Sequence, residues 1–109
     1  MPGLSIHVVD VAQGEPATGM RVQIIHGGVT IGDGYLTGAG TLDHPITEQT
    51  LAAGPYEVLF HAGAYFAGRH GDSPFLDVVP FRFKIADPAR HYHLPLKITL
   101  WGFSLFRGA

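Results

Sequence analysis

The chain is 109 residues long, carries a formal net charge of −2, and has seven histidines but no cysteine. That is one domain's worth of chain, 1–109, long enough to bury a core of its own, and the lack of cysteine excludes disulfides and thiolate metal sites. The seven lysines and arginines are scattered, so no nucleic-acid partner is expected; no apolar run nears the ~20 residues of a membrane span and no secretory leader is visible, so no membrane association is expected and the cytoplasm is the default.

In chain order, LSIHVVD alternates, with Leu4, Ile6 and Val8 on one face and Ser5, His7 and Val9 on the other. DVAQGEPATG is turn chemistry, and MRVQIIH resumes a strand with Val22 and Ile24 on one face. GGVTIGDGYLTGAGTLDHP is glycine-rich and predicts only very short strands, while TEQTLAAG has the makings of a single helical turn. PYEVLFHAG alternates again through Tyr56, Val58 and Phe60, and AYFAGRHG is the place for a short helix. FLDVVPFRFKI sets Phe81, Phe83 and Ile85 against Pro80, Arg82 and Lys84; HYHLPLKI sets Tyr92, Leu94, Leu96 and Ile98 against His91, His93, Pro95 and Lys97. The last strand is expected to carry Trp101, Phe103 and Leu105 against Gly102, Ser104 and Phe106. Roughly seven or eight short strands with frequent turns predict an all-β sandwich. Pro80 and Pro95 interrupt strand patterns, so those strands are expected at an edge or with irregular pairing. Hydrophobic residues make up 46% and charged ones 15%. So thin a charged coat points to surface covered by other subunits.

Period-two geometry places His91 and His93 on the face away from the core, and His7 likewise on the first strand. Such imidazoles answer to solvent, a ligand, a metal or another subunit. A His-x-His pair suits zinc or copper, but no HExxH and no adjacent acidic cluster accompany it, and neither a metal nor a cofactor is expected. The other option is acid–base chemistry by histidine acting on water. His26, His44, His61 and His70 read as surface residues. Tyr56, Phe60, Phe81, Phe83, Tyr92, Trp101 and Phe103 read as core or subunit interface. Lys97, on the His93 face, either lines the site or is a solvated lysine.

LSIHVVD, GPYEVLFHAGAYF, FLDVVPFRFKIADPARHYHLPL and the closing FRGA, in that order, resemble the 5-hydroxyisourate hydrolases, the transthyretin-related proteins of purine degradation. The resemblance implies a transthyretin-like sandwich of two four-stranded sheets. It also implies a homotetramer, a dimer of dimers, with active sites in the channel between dimers, and a small heterocyclic substrate. Carried over residue by residue, the family's two histidines match His7 and His93, with His91 the first histidine of HYH. The family's arginine, in a DGR turn, falls on Thr41 of AGTLD, and its YRGS ending becomes Phe106, Arg107, Gly108 and Ala109. His7 and His93 are thus the catalytic candidates, and Thr41, His91, Phe106, Arg107, Gly108 and Ala109 the substrate-binding ones.

Loss of the arginine removes a planar fork of donors. One lost oxyanion donor is worth ~3 kcal/mol, or about a hundredfold in rate. Three readings follow. The chain is a hydroxyisourate hydrolase in which Arg107 or Arg82 replaces the lost donor. Alternatively, it opens a less polar ring, such as a methylated hydroxyisourate, or acts on another heterocycle in biosynthesis. Or it is a non-hydrolytic small-molecule binder. Retention of both histidines favours hydrolysis.

Overall fold

The computed structural model describes residues 2–70 and 75–109, His70 by its backbone only. Eight strands form two sheets: β1 (Gly3–Asp10), β2 (Glu15–Pro16), β3 (Arg21–His26), β4 (Val29–Tyr35), β5 (Gly54–His61), β6 (Val78–Ile85), β7 (His91–Ile98) and β8 (Phe103–Leu105). One sheet runs β2-β1-β7-β8 and the other β4-β3-β5-β6. The two faces that meet are the alternating apolar sets of the sequence. Leu4, Ile6, Val8, Leu94, Leu96 and Ile98 of the first sheet, and Val22, Ile24, Val58 and Phe60 of the second, are all buried. Each such side chain contributes about 1.5–3 kcal/mol, and Leu94→Ala at that seam costs about 2–5 kcal/mol.

The helix forms as α1 (Ala62–His70), which buries Ala62, Tyr65 and Phe66; Gly71 of the expected segment lies outside the described residues. Tyr65 reaches from it to Asp10, a carboxylate with no exposed surface, by a 2.8 Å hydrogen bond to Oδ2.

Three expectations are corrected. The glycine-rich segment makes one seven-residue strand, β4. Its glycines serve close packing: a Cβ at Gly32 would stand 3.1 Å from Ile46 Cγ2, and one at Gly34 would stand 3.2 Å from Leu42 Cδ1. The helical turn sits earlier, at Pro45–Glu48, because His44 Nδ1 accepts the Ile46 N–H and caps it. The last strand is only Phe103–Leu105, since Thr99 Oγ1 accepts the N–H groups of Trp101 and Gly102 in a turn. Of the aromatic residues read as core or subunit interface, Trp101 and Phe103 are outside this chain's core, 64% and 49% exposed, at the edge of a sheet.

Pro80 lies on the edge strand β6, while Pro95 lies inside a sheet, on β7. A strand residue turns its N–H and C=O to the same side. His93 offers its carbonyl to Gly108, so Pro95, two residues on, lacks its donor toward the tail. The β7–β8 ladder is broken there, pairing from Leu96↔Leu105 onward and resuming only as the single bridge His93↔Gly108.

Candidate active site

β1 and β7 pair in parallel with Gly3↔His91, Ser5↔His93, His7↔Pro95 and Val9↔Lys97 in register. Their inward residues are fixed by the core, so Ser5, His7, His91, His93, Pro95 and Lys97 all share the outer face. Thr41 reaches the same place from the β4–β5 connection: it bridges to His7 beside the bonds Val8 N–H to Gly40 O and Leu42 N–H to Ile6 O. The turn depends on glycine. Gly40 has φ +75°, and a Cβ there would stand 2.6 Å from Val8 O. Thr41 itself is exposed, its hydroxyl 2.9 Å from that of Thr37.

On the other flank the tail docks on β7. The Gly108 N–H donates to His93 O at 2.7 Å, and the intervening register brings Phe106 beside Pro95 and Arg107 beside Leu94. Phe106 and Gly108 therefore join the histidine face, while Arg107 turns to the inner one. Its guanidinium lies 4.2 Å from the centroid of the Tyr92 ring, and Nη2 donates to His91 O at 3.0 Å. Arg82 sits on the second sheet and is paired with Glu57 at 2.9 Å. Neither arginine lies on the face of His7 and His93. Ala109 is exposed and lines an end cavity of about 580 Å³ with Arg90, His91, Arg107 and Gly108.

The hydroxyl of Ser5, which the sequence reading did not single out, ties the histidines together. Its Oγ is 2.6 Å from His93 Nδ1 and 2.8 Å from His91 Nε2. Partial burial, then the neighbouring His7 and His91, lower the His93 pKa from its ordinary 6.5, so this imidazole is neutral at neutral pH. A neutral, oriented imidazole beside a second one on an open face is suited to taking a proton from water. Lys97 is the cation of this face, exposed between Val9 and Ser104, with no ion pair among the described residues.

His26 stacks on Tyr56 at 4.1 Å and bonds to Pro55 O, His44 caps its helical turn, and His61 pairs with Gln23. All three are occupied away from the His7 face; the side chain of His70 lies outside the described residues. Among the described residues, no group of three or more His, Asp and Glu side chains is placed to share a metal ion.

Residues 4–108 match the model of the HIUase/transthyretin family. The chain belongs to this family. It is similar to the 5-hydroxyisourate hydrolase of Deinococcus radiodurans, with 42% identity covering 99% of this chain and 97% of that one. Among solved structures, this family member resembles the 5-hydroxyisourate hydrolase of Klebsiella pneumoniae, at a TM-score of 0.88 with 31% identity over the whole of both chains. It also resembles sea bream transthyretin in complex with thyroxine, at 0.86 and 26% identity, covering 98% of this chain and 95% of that one. The sandwich of two four-stranded sheets expected from the sequence is therefore the family's fold. No helix among the described residues is long and apolar enough to cross a membrane.

Proposed function

We propose that this chain is a hydrolase that opens a ring amide of an oxidised purine, 5-hydroxyisourate or a modified form such as a methylated one. The relatives named 5-hydroxyisourate hydrolase support the reaction class. The observation that carries it to particular atoms is His93, held neutral by burial and by its neighbours, with Nδ1 tied to Ser5 and His7 on the same face. His93 Nε2 takes a proton from water as its oxygen adds to the ring carbonyl carbon. His7 donates to the carbonyl oxygen as charge develops there. The C–N bond then breaks and the proton passes to the departing nitrogen. Hydrolysis changes no oxidation state, so the reading needs no redox cofactor.

Around these two imidazoles Thr41 and Phe106 make a less polar wall than an arginine and a tyrosine would, which suits a less polar or alkylated ring. Successive outward residues of a strand stand ~6.7 Å apart. A bicyclic ring lying over Pro95 therefore meets His93 at one end and the flexible arm of Lys97 at the other. Lys97 is the cation we assign to the substrate's oxygens.

The working form in this reading is a cytoplasmic homotetramer, a dimer of dimers. Supporting it are the open His7 face, with Phe106 49% exposed, and the bare edge strands β6 and β8 with Val78, Trp101 and Phe103 exposed. Light scattering behind size exclusion tests it; a monomer overturns it.

The deciding experiment generates 5-hydroxyisourate in place with urate oxidase and follows its ultraviolet decay with the wild type, His7→Ala and His93→Ala, then repeats with a methylated urate. Accelerated decay lost in both variants supports the reading, and the preferred substrate says how Thr41 has tuned the pocket. No acceleration on either compound overturns it in favour of binding alone.

A further inference from the structure

Ser5 has one hydroxyl proton and two imidazole partners, His93 Nδ1 at 2.6 Å and His91 Nε2 at 2.8 Å. A hydroxyl donates once. Whichever ring accepts that proton, the other must donate its own N–H to Oγ; because the contacts use Nδ1 of His93 and Nε2 of His91, the two neutral rings share one tautomer, both protonated on Nδ1 or both on Nε2. When Ser5 donates to His91, His93 carries its proton on Nδ1 and presents a free Nε2 lone pair to water. When Ser5 donates to His93, that ring carries its proton on Nε2 and holds no base. His91 is exposed at the end of the sheet, with Glu48 on another wall of the cavity of about 710 Å³ that it lines. His93 is half-buried beside His7.

We propose that Ser5 and His91 form a proton relay that sets the tautomer of His93 and moves the charge of catalysis off it, an inference that rests on the hydrolase reading above. As His93 Nε2 takes the proton of water, its Nδ1 proton passes to Ser5 Oγ and the Ser5 proton passes to His91 Nε2. His93 stays neutral, and the positive charge resides on the exposed ring. When the C–N bond breaks, His93 Nε2–H protonates the departing nitrogen and the relay runs back, returning a proton to Nδ1. The proton balance closes on the hydrolysed product. The physical reason is desolvation: an imidazolium at His93 would be half-buried and would face His7. At His91 it would be exposed to water, with Glu48 on the wall of one cavity to offset Arg90 and Arg107, which line the other, and with Lys97 six residues along the strand. Ser5 and His91 are positioning residues: they act through His93.

The test compares Ser5→Ala, Ser5→Thr, His91→Gln and Ser5→Ala/His91→Gln. Ser5→Ala and His91→Gln are each expected to lower kcat by roughly tenfold to a hundredfold with KM nearly unchanged, and the double variant no further than the worse single. Ser5→Thr, which keeps the hydroxyl, is expected to recover most of the rate. A proton inventory in mixed light and heavy water is expected to bow in the wild type and straighten in Ser5→Ala. Independently of turnover, nitrogen-15 NMR of the ring nitrogens reads the tautomers: the same for both rings in the wild type, uncoupled in Ser5→Ala. Wild-type kcat in Ser5→Ala, multiplicative losses in the double variant, or opposite tautomers for the two neutral rings would overturn the relay. Inactivity of the wild type overturns the hydrolase reading instead, and the NMR result then still decides whether the tautomers are coupled.

Discussion

Gly108 is the position where a single methyl group tests the site. A Cβ added there would stand 2.7 Å from His93 Cδ2, where 3.4 Å is ordinary contact, and 3.3 Å from Pro95 Cδ. The proline ring cannot retreat, and the tail is pinned by the 2.7 Å bond from Gly108 N–H to His93 O. The imidazole must therefore yield by ~0.7 Å, and Cδ2 is bonded to Nε2, the nitrogen assigned to water. A displacement of about 1 Å at a reacting group is worth roughly a hundredfold in rate, so Gly108→Ala is expected to lower kcat/KM by about ten- to a hundredfold. Stability is expected to move by less than ~1 kcal/mol, since the tail is peripheral and the lost backbone freedom of the unfolded chain favours alanine. The assay is the ultraviolet decay of 5-hydroxyisourate, or of the methylated compound if that is preferred, with thermal unfolding alongside. If kcat/KM stays within about twofold of wild type while the fold is intact, the assignment of Nε2 as the base is wrong.

Three further outcomes are expected. The lowered His93 pKa keeps its base form to lower pH than a free imidazole, so the acid limb of kcat/KM is expected below the ordinary 6.5, and the same group's contribution to stability is complete above that value and lost as pH falls through the depressed one; a limb above 6.5 in rates taken from about pH 5 to 8 would exclude His93 as the base. Lys97→Met is expected to raise KM by roughly three- to tenfold with little change in kcat, the loss of one solvent-screened charge-assisted contact; an unchanged KM removes Lys97 from the substrate. Tyr65→Phe takes one donor from the buried carboxylate of Asp10 and is expected to cost about 1.5–3 kcal/mol in urea unfolding, with kcat unaffected; a loss under ~0.5 kcal/mol shows the bond to be dispensable.

The strands of the sandwich were legible wherever one face is dry. Leu4, Ile6 and Val8, or Tyr92, Leu94, Leu96 and Ile98, alternate because the period of a strand forces them to, and all are buried. The same alternation predicted a shared face for His91 and His93. Ser5 carried no signal of its own, because its role comes from the parallel register that sets it beside His93, and register between segments 88 residues apart is a tertiary fact. Period two, applied to the tail, separates Phe106 and Gly108 from Arg107, whose charge had suggested a role at the site. The Gly32 and Gly34 pair reads as loop chemistry locally but serves the close approach of Ile46 and Leu42. Trp101 and Phe103 read as core or subunit interface by residue type, and residue type alone does not separate the two, because burial at a sheet edge depends on what the edge meets.

The parallel union of β1 with β7 has a consequence for how the activity comes into being. The second sheet is stitched largely by neighbours in sequence, β3 with β4 and β5 with β6. The reactive face instead needs residues 5 and 93 to find each other, the kind of distant closure that forms slowly. Catalysis is therefore expected to be the last property regained on refolding, lagging behind circular dichroism.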